Sequence, residues 1–157
     1  MEPGLSSQQD REHWEDWLGR LLWDVSSRIN ALGEDALADS PLSLSSLGVL
    51  DWIADHPGIT IAEIARRSPT TQQAVSQVTA RLEKLGFVER RLTGGRGIGL
   101  FVTASGTAAR DRANVLRRRL EQRLRKELGA ARHQELLRLL GETRTLVMDL
   151  EGRGDRA

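Results

Sequence analysis

The apolar residues near the N-terminus recur with the period of an α-helix. Between residues 10 and 32 they fall at i, i+3, i+4 and i+7, which places them on one face of a single helix. That face consists of Trp14, Trp17, Leu18, Leu21, Leu22, Val25, Ile29 and Leu32. A lone helix cannot bury such a face against itself, so the pattern predicts that it packs on the rest of the chain or on a partner chain.

Two shorter helices are predicted after a linker at 33–41. The first begins near Ser43 and ends before the sequence HPG at 56–58, because proline and glycine stop helices. The second is opened by a capping box, in which the Thr60 hydroxyl accepts one backbone N–H and the Glu63 carboxylate accepts another.

The next helix is predicted to run from an N-cap at Thr71 to Leu85, with Gly86 as a left-handed terminator. After Gly86 the apolar period shortens to two, which is typical of strands. Two strands and the glycine-rich tip between them are predicted at 87–92, 98–102 and 93–97. Short helix, turn, helix and hairpin in this order indicate a winged helix-turn-helix domain.

Two long helices complete the chain, at 104–128 and at 132–150, separated by Gly129. Each has a stripe of apolar residues at helical spacing. The first also carries the basic run Arg117, Arg118 and Arg119. The predicted fold class is therefore mainly α (α+β), with a two-stranded wing as its only sheet.

The composition argues against several classes of function. Without cysteine the chain has no disulfide, no thiolate metal site and no thiol-based redox sensor. The three histidines are too scattered to indicate a metal site: His13, His56 and His133. Because we find no Ser-His-Asp ordering, phosphate-binding loop or carboxylate pair, we expect no enzyme and no cofactor.

Two further expectations concern location. No stretch approaches the roughly 18 consecutive apolar residues that a membrane span requires. Residues 1–10 lack the basic lead and apolar centre of an export signal. We therefore expect no membrane association and a cytoplasmic protein.

The overall net charge of +1 conceals an uneven distribution along the chain. Residues 1–58 hold eleven acidic and three basic side chains, a net charge of −8. Residues 59–101 hold seven basic and three acidic side chains, a net charge of +4, and 102–157 hold thirteen and eight, a net charge of +5. An acidic N-terminal segment followed by a basic central segment predicts that only part of the surface binds a polyanion.

The helix at 71–85 has the two faces that a DNA-reading helix needs. Val75, Val78, Leu82 and Leu85 share one face and would anchor it to the domain. The other face presents small or polar side chains with a single charge: Gln73, Ser76, Gln77, Ala80 and Lys84. Glutamine can bind adenine through its amide, and small residues allow close approach to base edges, so this face is predicted to enter a major groove of duplex DNA.

The chain resembles the multiple-antibiotic-resistance regulator (MarR) family of bacterial repressors. Three stretches carry the resemblance: GITIAEIA at 58–65, TQQAVSQVTARLEKLGFVER at 71–90 and VTASG at 102–106. The residues of the second stretch, taken together, are specific to the family. The wing departs from the family, because its tip GGRG at 94–97 is shorter and lacks the acidic residue beside the arginine. Arg96 matches the tip arginine by position, and the resemblance implies that it reaches a minor groove.

The resemblance implies a triangular homodimer in which the first and the last two helices interleave with those of the partner. The predicted dimerisation region is 10–32 and 104–150, and the predicted winged helix-turn-helix domain is 42–103. Flexible tails are predicted at 1–9 and 151–157. The resemblance also implies a repressor that binds a palindromic operator and is released by a small organic or anionic effector.

The candidate site residues follow from both arguments. The candidates for DNA contact are Thr60, Thr71, Gln72, Gln73, Ser76, Gln77, Ala80, Lys84, Arg90, Arg91 and Arg96. Arg90 and Arg91 alternate along a strand, so one is expected to face DNA or an internal acid and the other solvent. The candidates for an effector pocket are Trp14, Trp17 and Trp52, although aromatic residues on a helical stripe are more often ordinary core.

Other interpretations stay open at this point. The chain could be a winged-helix module whose groove face binds protein, or an architectural DNA binder of weak specificity. The basic run could likewise contact DNA, but we favour pairing between subunits with the acidic first helix, since that accounts for both charge blocks. The acids concerned are Glu12, Glu15, Asp16 and Asp24.

Overall fold

The computed structural model describes residues 17–94 and 97–154, with side chains to Glu151. Within those residues the chain forms six helices and one antiparallel hairpin, so the predicted fold class is confirmed. The helices are α1 (Leu18–Ala36), α2 (Leu44–Asp55), α3 (Ile61–Arg67), α4 (Gln72–Lys84), α5 (Ala104–Leu128) and α6 (Ala130–Gly154). The strands are β1 (Val88–Leu92) and β2 (Ile98–Val102).

Local hydrogen bonds open the short helices α2 and α3. The Ser43 hydroxyl accepts the Ser46 N–H at 3.2 Å and begins α2. The Thr60 hydroxyl accepts the Glu63 N–H at 3.2 Å in the predicted capping box of α3. Each cap satisfies a backbone donor that the first helical turn leaves unpaired.

Two predicted boundaries were wrong. The first helix continues four residues past Leu32 and ends at Ala36, because Gly33 does not break it but packs against Leu44 of α2. A Cβ at Gly33 would lie 2.5 Å from the Leu44 Cδ1. The last helix runs from Ala130 to Gly154, so residues 151–154 are helical rather than part of a tail. The predicted tail at 1–9 and the end of the second tail, 155–157, lie outside the described residues.

The chain divides into two compact units, Met1–Arg117 and Arg118–Ala157. The core of the first unit is formed by α2, α3, α4, the hairpin and the first half of α5. Its fully buried large side chains include Leu47, Leu50, Ile53, Ile64, Val75, Leu82 and Leu100. Ala109 and Ala113 bring α5 close to this core because they have almost no side chain to separate the backbones.

The second unit contains the end of α5 and all of α6. Gly129 has a φ of +82° at the turn between them, a conformation that L side chains rarely adopt. His133 Nε2 lies 2.6 Å from Glu121 Oε1 and links the two helices next to this turn. Among the described side chains of α6 none is buried.

The hairpin is fixed to the rest of the first unit along the outer edge of β2. Gly58 N–H donates to Leu100 O at 2.9 Å, and Leu100 N–H donates to Ile59 O at 3.0 Å. Gly99 lies so close to this turn that a Cβ there would be 2.6 Å from the Gly58 carbonyl oxygen. The hairpin therefore has a defined position relative to the turn between α2 and α3.

Candidate nucleic-acid interface

The inward face of α4 attaches the helix to the core. Val75 and Leu82 are fully buried and Val78 is partly buried, as the sequence predicts. Leu85 was wrongly placed on this face, because it follows the last helical residue as the C-cap and is 41% exposed. Thr79 is buried instead, with a hydroxyl for which the described residues provide no hydrogen-bond partner. The anchoring face therefore ends at Leu82 and includes one polar residue, Thr79.

The outward face of α4 consists of exposed polar and small residues. Gln72, Gln73, Ser76, Gln77, Ala80 and Lys84 are all exposed. Within residues 17–94 and 97–154 none of their side chains makes a hydrogen bond or an ion pair. Amides that are exposed and unpaired can exchange bound water for base edges without breaking a contact in the protein. This face can therefore read bases in a major groove.

The N-terminus of α4 lies beside that face. Thr71 is exposed, and its hydroxyl accepts the Ala74 N–H at 3.2 Å. The N–H groups of the first turn that this cap leaves unpaired carry the positive end of the helix dipole. A DNA phosphate would be a suitable acceptor for them.

The hydroxyl of Thr60 is already used inside the protein. Its Oγ1 donates to Glu63 Oε2 at 2.8 Å and accepts the Glu63 N–H, while the Thr60 N–H donates to the same carboxylate at 2.8 Å. The backbone hydrogen bond, then that of the hydroxyl, lowers the pKa of Glu63. Thr60 therefore holds the start of α3, and its hydroxyl has one lone pair left for another donor.

Arg90 and Arg91 have different partners, as their alternation along β1 predicts. Arg90 binds Glu83 of α4 through two hydrogen bonds, Nε to Oε1 at 2.7 Å and Nη2 to Oε2 at 3.1 Å, and this contact raises the pKa of Arg90. Arg91 contacts Glu89 and lies over the Phe101 ring, with its guanidinium carbon 5.0 Å from the ring centroid. Arg90 thus faces an internal acid and joins β1 to α4.

The base of the wing tip is closed by two hydrogen bonds. The Thr93 N–H and the Thr93 hydroxyl both donate to Gly97 O, at 3.1 Å and 3.0 Å. Arg96, the candidate for a minor-groove contact, lies outside the described residues.

Two of the three tryptophans proposed for an effector pocket lie within the described residues. Trp14 lies outside the described residues. Trp17 is the N-cap of α1, and 61% of it is exposed. Trp52 is partly buried on α2 and packs against the core, with its ring centroid 5.3 Å from that of His56. The effector pocket stays a prediction.

An ion-pair cluster that was not predicted from the sequence joins α2 and α5. Arg110 Nε lies 2.6 Å from Asp51 Oδ1, and Arg117 Nη1 lies 2.9 Å from Asp51 Oδ2. Arg110 Nη2 also lies 3.3 Å from Asp55 Oδ1. Hydrogen bonding to Asp51, only partly offset by burial, raises the pKa of Arg110.

The cluster changes the interpretation of the basic run. Arg117 was expected to pair with the first helix of a partner, but it pairs within its own chain, and Asp24 pairs with Arg28 at 3.0 Å. The available signal was spacing: Asp51 and Asp55 share a helix face, and residues 110 and 117 share another. Which two faces meet is set by the fold, not by the spacing.

Two further properties of the described residues bear on other kinds of site. In residues 17–94 and 97–154 no group of three His, Cys, Asp or Glu side chains is placed to hold a metal ion. No helix in that part of the chain has the length and apolar content to cross a membrane.

The comparisons with known proteins agree with this geometry. The model of the MarR family matches residues 40–97. The HTH-type transcriptional repressor Rv2887 of Mycobacterium tuberculosis is 32% identical over 125 residues, which are 78% of this chain and 90% of that protein. The chain belongs to the MarR family. Accordingly it is a DNA-binding transcriptional regulator of the winged helix-turn-helix type.

Solved structures of this MarR-family relative match over most of the chain. The crystal structure of Rv2887 in complex with DNA has a TM-score of 0.69 and 31% sequence identity, and covers 81% of this chain and 97% of that one. The structure of Rv2887 with p-aminosalicylic acid has a TM-score of 0.69 and 31% identity, and covers 81% and 98%. The similarity therefore extends well beyond the residues of the family model.

Proposed function

We propose that this protein is a repressor that binds a palindromic operator as a homodimer and is released by a small organic or anionic effector. The outward face of α4 is the observation that carries the proposal. Its amides at Gln73 and Gln77 are exposed and unpaired among the described residues, and the helix behind them is fixed by Val75 and Leu82. Base contacts supply sequence specificity, which a repressor requires.

The homodimer is supported by apolar surface that the described part of the chain leaves uncovered. On α1 the exposed large side chains include Leu18, Leu21, Trp23, Ile29 and Leu32. On α6 they include Leu136, Leu139, Leu140, Leu146, Val147 and Leu150. Apolar surface of this extent is typical of an interface, and a twofold dimer would present two reading helices to an inverted repeat.

The effector is proposed from the relative. Rv2887 has been crystallised with p-aminosalicylic acid and with salicylic acid, both small aromatic carboxylates. We take this chemistry as the first to test here, with Trp17 and Trp52 as candidate contacts. We further propose that the protein is cytoplasmic and has no enzymatic activity, because its relative Rv2887 is a transcriptional repressor.

Titration of DNA by the full-length protein tests the proposal. A duplex selected from random sequences is compared with an unrelated competitor, for the wild type, for Gln73→Ala and for the control Gln122→Ala on α5. Gln122 is also exposed, and its side chain makes no hydrogen bond to any residue that the structure describes. We expect Gln73→Ala to lose about 1–3 kcal/mol on the selected duplex and little on the competitor, and Gln122→Ala to behave as wild type.

Other outcomes favour the alternatives. Equal binding to both duplexes would indicate an architectural DNA binder, and no binding to either would leave a protein-interaction module. Equal affinity for direct repeats, or for isolated half-sites, would contradict a palindromic operator. Salicylate is added to the preformed complex to test release, and benzyl alcohol, which has no carboxylate, is the control.

A further inference from the structure

The base of the wing tip carries two exposed apolar side chains. Leu92, the last residue of β1, is 85% exposed, the highest value for a large apolar residue in the described part of the chain. Ile98, the first residue of β2, is its partner in the hairpin register and is 53% exposed. An apolar cross-strand pair without cover in a domain that has a complete core indicates a contact with another molecule.

The pair is fixed in position relative to α4. Directly beyond it the two hydrogen bonds from Thr93 to Gly97 O close the tip. Below it Arg90 joins β1 to Glu83 near the end of α4. Leu92 and Ile98 are therefore held by the wing and cannot fold back into the core.

The charges around the pair indicate a polyanion as the molecule it meets. Residues 59–101, which include α3, α4 and the wing, have a net charge of +4. Two of the three acids in that range, Glu83 and Glu89, are paired with Arg90 and Arg91. An apolar surface of a second copy would need no such basic surroundings, whereas duplex DNA would.

We propose that Leu92 and Ile98 form an apolar contact with the minor groove of operator DNA, beside the bases that α4 reads. The inference rests on the proposed function, because it assumes that α4 occupies a major groove. A hairpin joined to the end of that helix then extends toward the next groove along the duplex. Apolar side chains are suited to the floor and sugar edges of a minor groove.

This contact has two consequences that a charged contact lacks. It displaces no counterions, so its loss weakens binding without changing the salt dependence. It is also sensitive to the amino group of guanine, which projects into the minor groove only at G·C pairs. The protein should therefore prefer A·T pairs beside each half-site, where no amino group obstructs the apolar pair.

Matched substitutions separate apolar character from shape. Ile98→Thr and Ile98→Val have nearly the same shape and both suit a strand, but only valine keeps the site apolar. Leu92→Gln and Leu92→Met make the same comparison on β1. We expect Leu92→Gln to weaken binding to the selected duplex roughly tenfold and Ile98→Thr about threefold, with unchanged salt slopes, while both apolar variants bind as wild type.

Inosine in the flanks tests the groove. An I·C pair presents the major-groove edge of G·C but has no amino group in the minor groove. For the wild type we expect I·C flanks to bind as A·T flanks do and G·C flanks to bind more weakly. For Leu92→Gln the three duplexes should differ less.

Three results would overturn the inference. Wild-type affinity of both polar variants would show that the pair does not contact DNA. A change in sedimentation of the free protein for those variants alone would assign the pair to a contact between copies. Identical binding of all three flanks by the wild type would exclude the minor groove. If the wild type binds no duplex at all, the proposed function itself fails; if it binds and only these comparisons fail, that function stands without the wing contact.

Discussion

The winged region, which consists of α2, α3, α4 and the hairpin, has an apolar pattern in sequence similar to that of α6. The two differ in burial in the structure. In the winged region the apolar stripes are covered within the chain: Leu50, Ile53, Val75 and Leu82 are fully buried. On α6 a leucine-rich stripe of the same period stays exposed, with Leu139 at 46%, Leu146 at 60% and Leu150 at 57%. Periodicity predicts that a face will be buried, but it does not predict which chain will cover it.

The first helix combines both situations. At its end Gly33 packs against Leu44, and Glu34 Oε1 accepts the Leu44 N–H at 3.0 Å, so the last turns are fixed to α2. Nearer its start Leu18 is 58% exposed and Trp23 is 70% exposed. Among the described residues, cover from within the chain therefore reaches only one end of α1, and the proposed partner would have to cover the rest.

The largest effect on stability and assembly is expected on the exposed apolar stripe of α6, which a partner chain would have to cover. The double substitution Leu139→Glu and Leu146→Glu places two charges on the exposed stripe of α6. If that stripe is a dimer interface, burying these charges would cost on the order of 5 kcal/mol and leave monomers or unfolded chains. Sedimentation velocity and circular dichroism at micromolar concentration measure both results.

Leu137→Glu is the control for this prediction. Leu137 is also on α6 and is 54% exposed, but it lies to the side of the stripe. We expect the control to stay dimeric. A wild-type protein that sediments as a stable folded monomer would remove the proposed interface and, with it, the argument for a palindromic operator.

The second prediction concerns the winged region, whose apolar stripes are covered within the chain. A Cβ at Gly106, at the start of α5, would overlap the Phe87 carbonyl oxygen, a backbone atom that cannot move without shifting the hairpin. Gly106→Ala should therefore destabilise the protein by about 3 kcal/mol. Gly48→Ala is the control, because a Cβ at that exposed position of α2 meets nothing within 4 Å. There alanine should stabilise the helix by up to about 1 kcal/mol. Chemical denaturation gives both values, and equal effects would contradict the close approach.

The third prediction concerns the attachment of α5 to α2. Asp51→Asn removes the charge that binds Arg110 and Arg117. The Asp51 side chain is only 19% exposed. We expect a loss of about 2 kcal/mol, less than for a fully buried pair. Asp24→Asn, which breaks the exposed pair with Arg28, should cost no more than about 0.5 kcal/mol. Similar losses in urea denaturation for both variants would mean that the cluster is only a surface feature.

The same contrast between local and distant contacts explains what could be predicted from the sequence. The caps at Thr60 and Thr71 were predicted because donor and acceptor lie within three residues of each other. Asp51 and Arg110 are 59 residues apart, and neither shows its partner locally. The outward face of α4 was predicted because helical period alone separates it from the buried face.

Details of packing could not be predicted from the sequence for the same reason. Burial of Thr79 in place of Leu85 depends on where α4 ends against the hairpin, which is a tertiary contact. The close approach of Gly99 to Gly58 likewise joins two turns that are distant in sequence. A glycine in a strand pattern is a weak signal of such an approach.

The smallest effect is expected at the cap of α3, which depends on neither a partner nor a distant contact. Thr60→Ala should cost about 1 kcal/mol, whereas Thr60→Ser keeps the hydroxyl and should cost little. Because this cost is local, it should be the same at low and high protein concentration, unlike the loss expected from the α6 stripe. Thermal unfolding at two concentrations distinguishes the two kinds of effect.

Acid provides an independent measurement of the same cap. The pKa of Glu63 is lower in the folded protein than its ordinary value of 4.5, mainly because its carboxylate accepts the Thr60 N–H and then the Thr60 hydroxyl. A carboxyl with a lowered pKa stabilises the fold above its unfolded pKa, and this contribution is lost as the pH falls from about 4.5 through the folded value. Glu63→Gln keeps an acceptor for the N–H but has no charge to titrate, so its stability should fall less steeply than that of the wild type below pH 4.5. Parallel acid curves for the two proteins would show that the carboxylate contributes no pH-dependent stability at this cap.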